Sequence, residues 1–185
     1  SICKALTTKM GGKIKVESKL NVGSTFTIVI PFQIDSSPSL AKKQSDSDTS
    51  DNIKGMRILV AEDNELNSEI AKELLEDAGA VVTLAKDGRE AVSIFKQSHI
   101  CEFDLILMDI MMPTLNGYEA TQIIRSLSRI DAQTVPIVAM TANAFSHDIQ
   151  KAKQVGMNDH IAKPIDVKKM YEVISRYNKG CQTIT

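Results

Sequence analysis

Five polar residues stand where strand-like apolar runs stop. Leu105 to Met108 is an unbroken apolar run that ends in the carboxylate of Asp109, followed by a loop containing Pro113 and Gly117. A strand buried on both faces ends in this way. The run Arg57 to Ala61 leads into Glu62 and Asp63, Ile137 to Met140 into Thr141, and His160 to Ala162 into Lys163. Singly, each has an ordinary structural explanation. Asp109 could cap a turn, and Glu62 and Asp63 could favour a helix N-terminus by about 0.3 to 1 kcal/mol. Thr141 could be a turn hydroxyl and Lys163 a solvated lysine. Together they gather at one end of a sheet if the strands are parallel, and ligands bind just beyond the carboxyl ends of such strands.

The chemistry of that cluster is readable. Carboxylates a few ångströms apart repel by about 4 kcal/mol per close pair at an effective dielectric near 20, so Glu62, Asp63 and Asp109 together call for a hard divalent cation and a nearby ammonium. Mg²⁺ takes oxygen ligands and keeps waters and phosphate oxygens around it. Asp63 and Asp109 would ligate it directly and Glu62 through water. An Asp carboxylate is also a nucleophile toward phosphorus that forms an acyl phosphate. Lys163 would then neutralise the transferring oxygens and the Thr141 hydroxyl would donate to one of them.

The elements that must position these residues alternate buried strand with amphipathic helix from Met56 onward. Strands are expected at Arg57 to Ala61, Val81 to Ala85, a third ending at Asp109, Ile137 to Met140 and His160 to Ala162. Helices are expected at Glu65 to Asp77, Arg89 to Gln97, Tyr118 to about Leu127, Ser146 to Val155 and Val167 to Tyr177. Leu66, Ile70, Leu74 and Leu75 should form the inner side of the first of these and Gly79 its stop, with Asp166 capping the last. The pattern predicts an α/β fold: a doubly wound, five-stranded parallel sheet with right-handed crossovers.

Residues 1 to 34 read differently. Ile2, Ala5, Leu6 and Met10 have helical spacing, and Gly11-Gly12 ends that helix. Ile14 and Val16, then Phe26, Ile28 and Ile30, alternate as the two strands of a hairpin. A helix and hairpin of this size cannot bury enough apolar surface to stand alone. Gly12-Lys13 lacks the flanking residues of a phosphate loop. Between the two regions, residues 35 to 55 are rich in Ser, Asp and Lys, with Leu40 and Ile53 the only large apolar side chains. This segment is expected to be a flexible linker spanning roughly 25 Å. Residues 179 to 185 form a short tail.

At 185 residues, 43% hydrophobic and with a net charge of −1, the composition is that of ordinary globular material. It gives no reason to expect nucleic acid or an anionic membrane surface as a partner. No apolar run has the length of a membrane span and no signal-peptide layout opens the chain, so the expected location is cytoplasmic. Any membrane anchor would belong to a longer parent. The three cysteines, Cys3, Cys101 and Cys181, are far apart in sequence and are expected as free thiols. The chain opens on Ser1, as a processed or partial chain would.

Two resemblances follow from quoted motifs. Ile58 to Asn64 (ILVAEDN), Leu107 to Pro113 (LMDIMMP) with Gly117, Met140 to Ala142 (MTA) and Lys163 to Ile165 (KPI) resemble the receiver domain of response regulators over residues 56 to 178, whose sheet has the flavodoxin-like order 2-1-3-4-5. The resemblance implies that Asp109 accepts a phosphoryl group from a phosphohistidine, with Glu62, Asp63, Asp109 and the Met111 backbone carbonyl serving Mg²⁺. It also implies that Thr141 and Lys163 read the phosphoryl group, and that the chain alone is a phosphoacceptor. The family's aromatic switch position falls on His160, either a plain polar strand end or a group titrating between pH 5 and 8. A cis Lys163-Pro164 bond is expected, aiming Lys163 at the site.

Lys9 to Ser18 and Val22 to Phe32 resemble the last helix and last two strands of the ATP-binding domain of sensor histidine kinases. That family's nucleotide-binding motifs are absent here, so no ATP binding is expected. Kinase tail, linker and receiver in this order resemble the C-terminal part of a hybrid histidine kinase. His99 and His147 lack the surroundings of a phosphodonor. The phosphohistidine would come from a kinase dimerisation domain or a histidine phosphotransfer protein. Phosphorylation-dependent dimerisation is associated with the family, but nothing in the sequence ranks one face for it.

Two other functions compete with this reading. A phosphatase would need a general acid two residues after the nucleophile, where Met111 stands. A phosphate-independent docking module on the same fold would make Mg²⁺ and Asp109 irrelevant to partner affinity.

Overall fold

The structure is a computed structural model that describes residues 2–20, 22–32, 51–142 and 146–178. The chain divides into two compact units, residues 1–44 and 45–185.

In the first unit, α1 (Ile2–Lys9) is followed by β1 (Lys13–Lys19) and β2 (Gly23–Val29), an antiparallel hairpin. Gly11 takes a left-handed φ of 72° just past the helix, as its position in the sequence predicts. The register pairs Ile14 with Ile28 and Val16 with Phe26. Alternation therefore puts these four on one face, where Val16, Phe26 and Ile28 remain exposed.

The second unit holds β3 (Arg57–Ala61), α2 (Glu65–Asp77), β4 (Val81–Ala85), α3 (Gly88–Gln97), β5 (Leu105–Asp109), α4 (Gly117–Ser126), β6 (Ile137–Thr141), α5 (Ser146–Gln154), β7 (Asp159–Ala162) and α6 (Val167–Ser175). All adjacent strands pair in parallel, in the order β4-β3-β5-β6-β7. This is the 2-1-3-4-5 order that the receiver resemblance implies. Period-two alternation splits the apolar strands between two cores. Leu59, Ile106 and Ile137 pack with Phe95, Ile124 and Met157 on the side of α3, α4 and α5. Ile58, Leu105, Leu107 and Val138 pack with Leu75, Met170 and Ile174 on the side of α2 and α6. Four of these helices start on side-chain caps: Asn64, Asp87 and Asp166 each accept a backbone N–H three residues on, and Asn116 and Glu119 form a reciprocal capping box. The Lys163–Pro164 peptide is cis, as expected. Among the described residues no helix is long and apolar enough to cross a membrane.

Three expectations need correction. Residues 51–53 of the presumed linker form a 3-10 turn and Ile53 is fully buried, so order begins before Met56. The cause is local: Gly55, at a φ of 79°, donates its N–H to Gly79 O at 2.8 Å, which folds this stretch against the α2–β4 turn. The rest of the linker expectation, residues 35–50, lies outside the described residues, as does the tail at 179–185. Next, Leu66 and Ile70 are exposed, because α2 meets the sheet through Ser68, Ala71 and Leu75, small enough at two positions to bring the backbone close. Finally, Cys3 is free but Cys101 is disulfide-bonded, while Cys181 lies outside the described residues. Separation along the chain was a poor argument for free thiols, since closing a longer loop adds only a logarithmic cost.

Away from the sheet's carboxyl edge, half-buried Arg129 pairs with buried Asp131, and both carboxylate oxygens receive guanidinium N–H groups at 2.7 Å. Arg129 also donates to Ser98 O and His99 O and lies 4.4 Å over the Phe95 ring, and Asp131 accepts the Cys101 N–H. The pair thus ties the end of α3 to the segment after α4. Asp131→Ala is expected to cost about 1–3 kcal/mol, because it removes two charge-assisted hydrogen bonds from a half-buried guanidinium that keeps its carbonyl partners. Hydrogen bonding from Arg129 holds the Asp131 pKa below its usual value. The stabilisation is therefore present above the ordinary carboxylate pKa of about 3.9 and is lost as pH falls through the lower folded value. Urea unfolding at neutral pH and in acid checks this: the gap between wild type and variant should shrink in acid.

Candidate functional site

Parallel pairing brings four strand ends to one edge. Glu62 and Asp63 follow β3, Asp109 ends β5, Thr141 ends β6 and Lys163 follows β7. Glu62, Asp109 and Thr141 are buried while Asp63 is exposed. One carboxylate oxygen from each of Glu62, Asp63 and Asp109 lies within 4.8 Å of the others. The Lys163 ammonium bridges the two buried carboxylates, 2.5 Å from Glu62 Oε2 and 2.6 Å from Asp109 Oδ2. The second Asp109 oxygen accepts the Met111 N–H at 3.1 Å. Thr141 follows Met140, the cross-strand partner of Asp109, and its carbonyl accepts the Lys163 N–H at 2.7 Å. The sequence-predicted residues Glu62, Asp63, Asp109, Thr141 and Lys163 therefore share one edge.

His160 stands apart from them. It lies on β7 opposite Ala139, with Nδ1 3.7 Å from Asp159 Oδ1, and lines a cavity of about 490 Å³ along β7 and α6. Sequence reasoning missed Asn67, whose side-chain amide donates to Glu62 Oε1 at 2.9 Å. The available signal was its place in the first turn of a helix that starts three residues after Glu62.

Charge is unbalanced here, with three carboxylates around one ammonium. Burial raises the Asp109 pKa and the nearby Glu62 charge adds to it, against the lowering effect of Lys163 and the Met111 N–H. Burial pulls the Lys163 pKa down, but its hydrogen bonds to Asp109 and Glu62 outweigh that and hold it above the usual lysine value. Lys163 is thus firmly cationic, and the site can gain by taking up further positive charge. Hard oxygen donors this close, with Asp63 open to water, fit a hard divalent cation.

Gly117 is required by the backbone beneath the site. A Cβ there would lie 2.2 Å from Asp109 O and 3.0 Å from Ile110 Cα. The loop from Pro113 folds back so closely that the Gly117 N–H reaches Ile110 O at 3.0 Å. Gly117→Ala is expected to lower stability by about 1–3 kcal/mol, since backbone must shift to admit the methyl. Thermal unfolding checks this, and the end of β5 should show the largest amide chemical-shift changes.

The response regulator receiver domain model matches residues 58–175. Hybrid signal transduction histidine kinase I of Dictyostelium discoideum is 42% identical over 121 residues, 64% of this chain and 7% of that protein. The aerobic respiration control sensor protein ArcB of Escherichia coli is 33% identical over 180 residues, 96% of this chain and 22% of that protein. The chain thus spans less than a quarter of these relatives. Among solved structures, the receiver domain of a Pseudomonas aeruginosa sensor histidine kinase, with a magnesium ion in its active site cleft, is 38% identical with a TM-score of 0.60, covering 67% of this chain and 98% of that one. The receiver domain of a Saccharomyces cerevisiae response regulator, co-crystallised with its histidine phosphotransfer signaling protein, matches at 31% identity and TM-score 0.61, covering 68% of this chain and 90% of the other.

Proposed function

The chain belongs to the response regulator receiver family through residues 58–175, and we propose that Asp109 accepts a phosphoryl group from a phosphohistidine in a phosphorelay. The observation that carries this reading is the Lys163 ammonium held between two buried carboxylates, with a third carboxylate oxygen within 4.8 Å. An Asp109 oxygen attacks phosphorus, the new O–P bond forms as the N–P bond breaks, and the electron pair leaves on the imidazole nitrogen. Lys163, already cationic beside Asp109, stays in place to neutralise charge on the transferring oxygens, and the Thr141 hydroxyl donates to one of them. The Met111 N–H fixes the plane of the attacking carboxylate. Mg²⁺, when bound, supplies the remaining positive charge for the phosphoryl oxygens. Asp63, Asp109 and the Met111 carbonyl would hold it directly and Glu62 through water.

Within this reading, residues 56–178 form the receiver and residues 1–34 the end of a histidine-kinase ATP-binding domain, joined by a linker. The ArcB alignment over 96% of this chain and the helix-plus-hairpin of the first unit support that assignment. The parent would be a cytoplasmic or membrane-anchored hybrid histidine kinase. Its partner would be a kinase dimerisation domain or a histidine phosphotransfer protein, the kind of protein bound in the yeast complex. Dimerisation on phosphorylation belongs to the same reading and is checked by sedimentation of the phosphorylated chain. His160 is proposed as the switch position on β7.

The test is direct. The chain is incubated with acetyl phosphate and Mg²⁺, and separately with a phosphorylated histidine phosphotransfer domain, and its mass is followed. One added phosphoryl group, labile to hydroxylamine and dependent on Mg²⁺, is the expected result. No adduct on a folded chain would overturn the reading in favour of a phosphate-independent docking module.

A further inference from the structure

We propose that Asn67 is a positioning residue for the cation site: its side-chain amide fixes the orientation of Glu62, and through it the affinity for Mg²⁺. The inference rests on the phosphoryl-acceptor reading and deepens it. The Glu62 side chain is only 2% exposed, so both its oxygens need donors from the protein. Lys163 supplies one for Oε2 and Asn67 Nδ2 the other for Oε1, at 2.9 Å. Lys163 cannot fix the carboxylate plane alone, because it is shared with Asp109 and its ammonium rotates freely about a flexible stem. The second bond, to the opposite oxygen, removes that freedom.

Asn67 is itself held in place. It is the third residue of α2, and its backbone N–H is bonded to the Asn64 side chain at 3.0 Å. In a capping box the side chain at this helix position turns back to the N-cap backbone N–H. Here the side-chain amide reaches Glu62 instead, so one turn of helix links the N-cap to a metal-facing carboxylate. The donor is neutral: it satisfies the buried oxygen without adding positive charge that would compete with a cation. Nor does folding require the bond from Asn67's side. The residue is half-buried, on the wall of a cavity of about 250 Å³ that it shares with Ile70, Lys163, Pro164 and Ile165, where its amide could bond to solvent.

The test is calorimetric titration of Mg²⁺ alone into wild type, Asn67→Leu and Asn67→Ala, with circular dichroism confirming the fold. Loss of an outer partner to a metal-facing group typically weakens metal binding 10- to 100-fold. A weakening of about that size is expected in Asn67→Leu, with the rate of acyl phosphate formation recovering as Mg²⁺ is raised. A merely structural role would lower the unfolding midpoint without that recovery. If Asn67→Leu does not fold, Asn67→Ala, which leaves room for water, is judged by the same criterion. Affinity within twofold of wild type in a folded variant overturns the proposal and leaves Asp109 as acceptor. A wild type that binds no Mg²⁺ at millimolar concentration overturns the site reading itself, and this inference with it.

Discussion

Asp109→Asn is expected to abolish acyl phosphate formation while leaving the fold intact and more heat-stable in the absence of divalent cations. Loss of acceptance follows from chemistry: an amide oxygen is too weak a nucleophile to displace a phosphohistidine nitrogen, and no other carboxylate replaces it. Glu62 is tied at both oxygens, and Asp63 lies on a different strand end without the Lys163 contact. The gain in stability follows from the charge balance. The folded state raises the Asp109 pKa, chiefly through burial. For an acid, a raised folded pKa means that folding favours the neutral form, so ionised Asp109 weighs against the fold at neutral pH. Asparagine keeps the shape and drops the charge, leaving Lys163 to pair with Glu62 alone. Mass spectrometry after acetyl phosphate treatment reads the first effect and thermal unfolding in chelator the second. An adduct persisting in Asp109→Asn would place the acceptor elsewhere, and a lower midpoint would mean that the Lys163–Asp109 pair outweighs the repulsion among the carboxylates.

The sheet and most of the site were legible because the relevant signals are local. An apolar run of four residues followed by a carboxylate marks Asp109 without reference to anything distant, and the same holds for Thr141 and Lys163. Parallel order then follows from the alternation of strand and helix, and it alone brings these ends together. What stayed hidden depends on distances between segments. Ile53 reads as a stray apolar residue in a polar run until the Gly55–Gly79 bond folds it under the sheet. Leu66 and Ile70 fit a helical stripe, but only packing distance decides that Ser68 and Ala71, not they, face inward. Asn67 has no periodic signature, since its role depends on the orientation of one amide. The Cys101 disulfide is likewise a matter of proximity in space, which spacing along the chain does not report.

Lys163→Met separates the two jobs of the ammonium and should move them in opposite directions. In the folded chain Lys163 is the shared donor of Glu62 Oε2 and Asp109 Oδ2. Its removal leaves two buried carboxylates facing each other, and breaking such an arrangement by deleting one partner costs about 3–5 kcal/mol. The unfolding midpoint in chelator should fall accordingly. With the competing cation gone, the remaining carboxylates attract Mg²⁺ more strongly, so Mg²⁺ should bind tighter than in wild type and restore much of the lost stability. Phosphorylation should nevertheless slow. Losing one pre-placed donor to developing charge costs about 10²–10³ in rate, and a cation held by the carboxylates would not replace that donor. Tighter Mg²⁺ binding with slower transfer is hard to explain by damage to the fold, which would weaken both. Lys163→Arg sharpens the comparison, since it keeps the charge but replaces a compact ammonium with a planar fork. It should preserve stability better than Met while recovering little of the rate. Equal rates for Met and wild type would show that Lys163 serves the fold alone, and would move the neutralisation of the phosphoryl group entirely onto the metal.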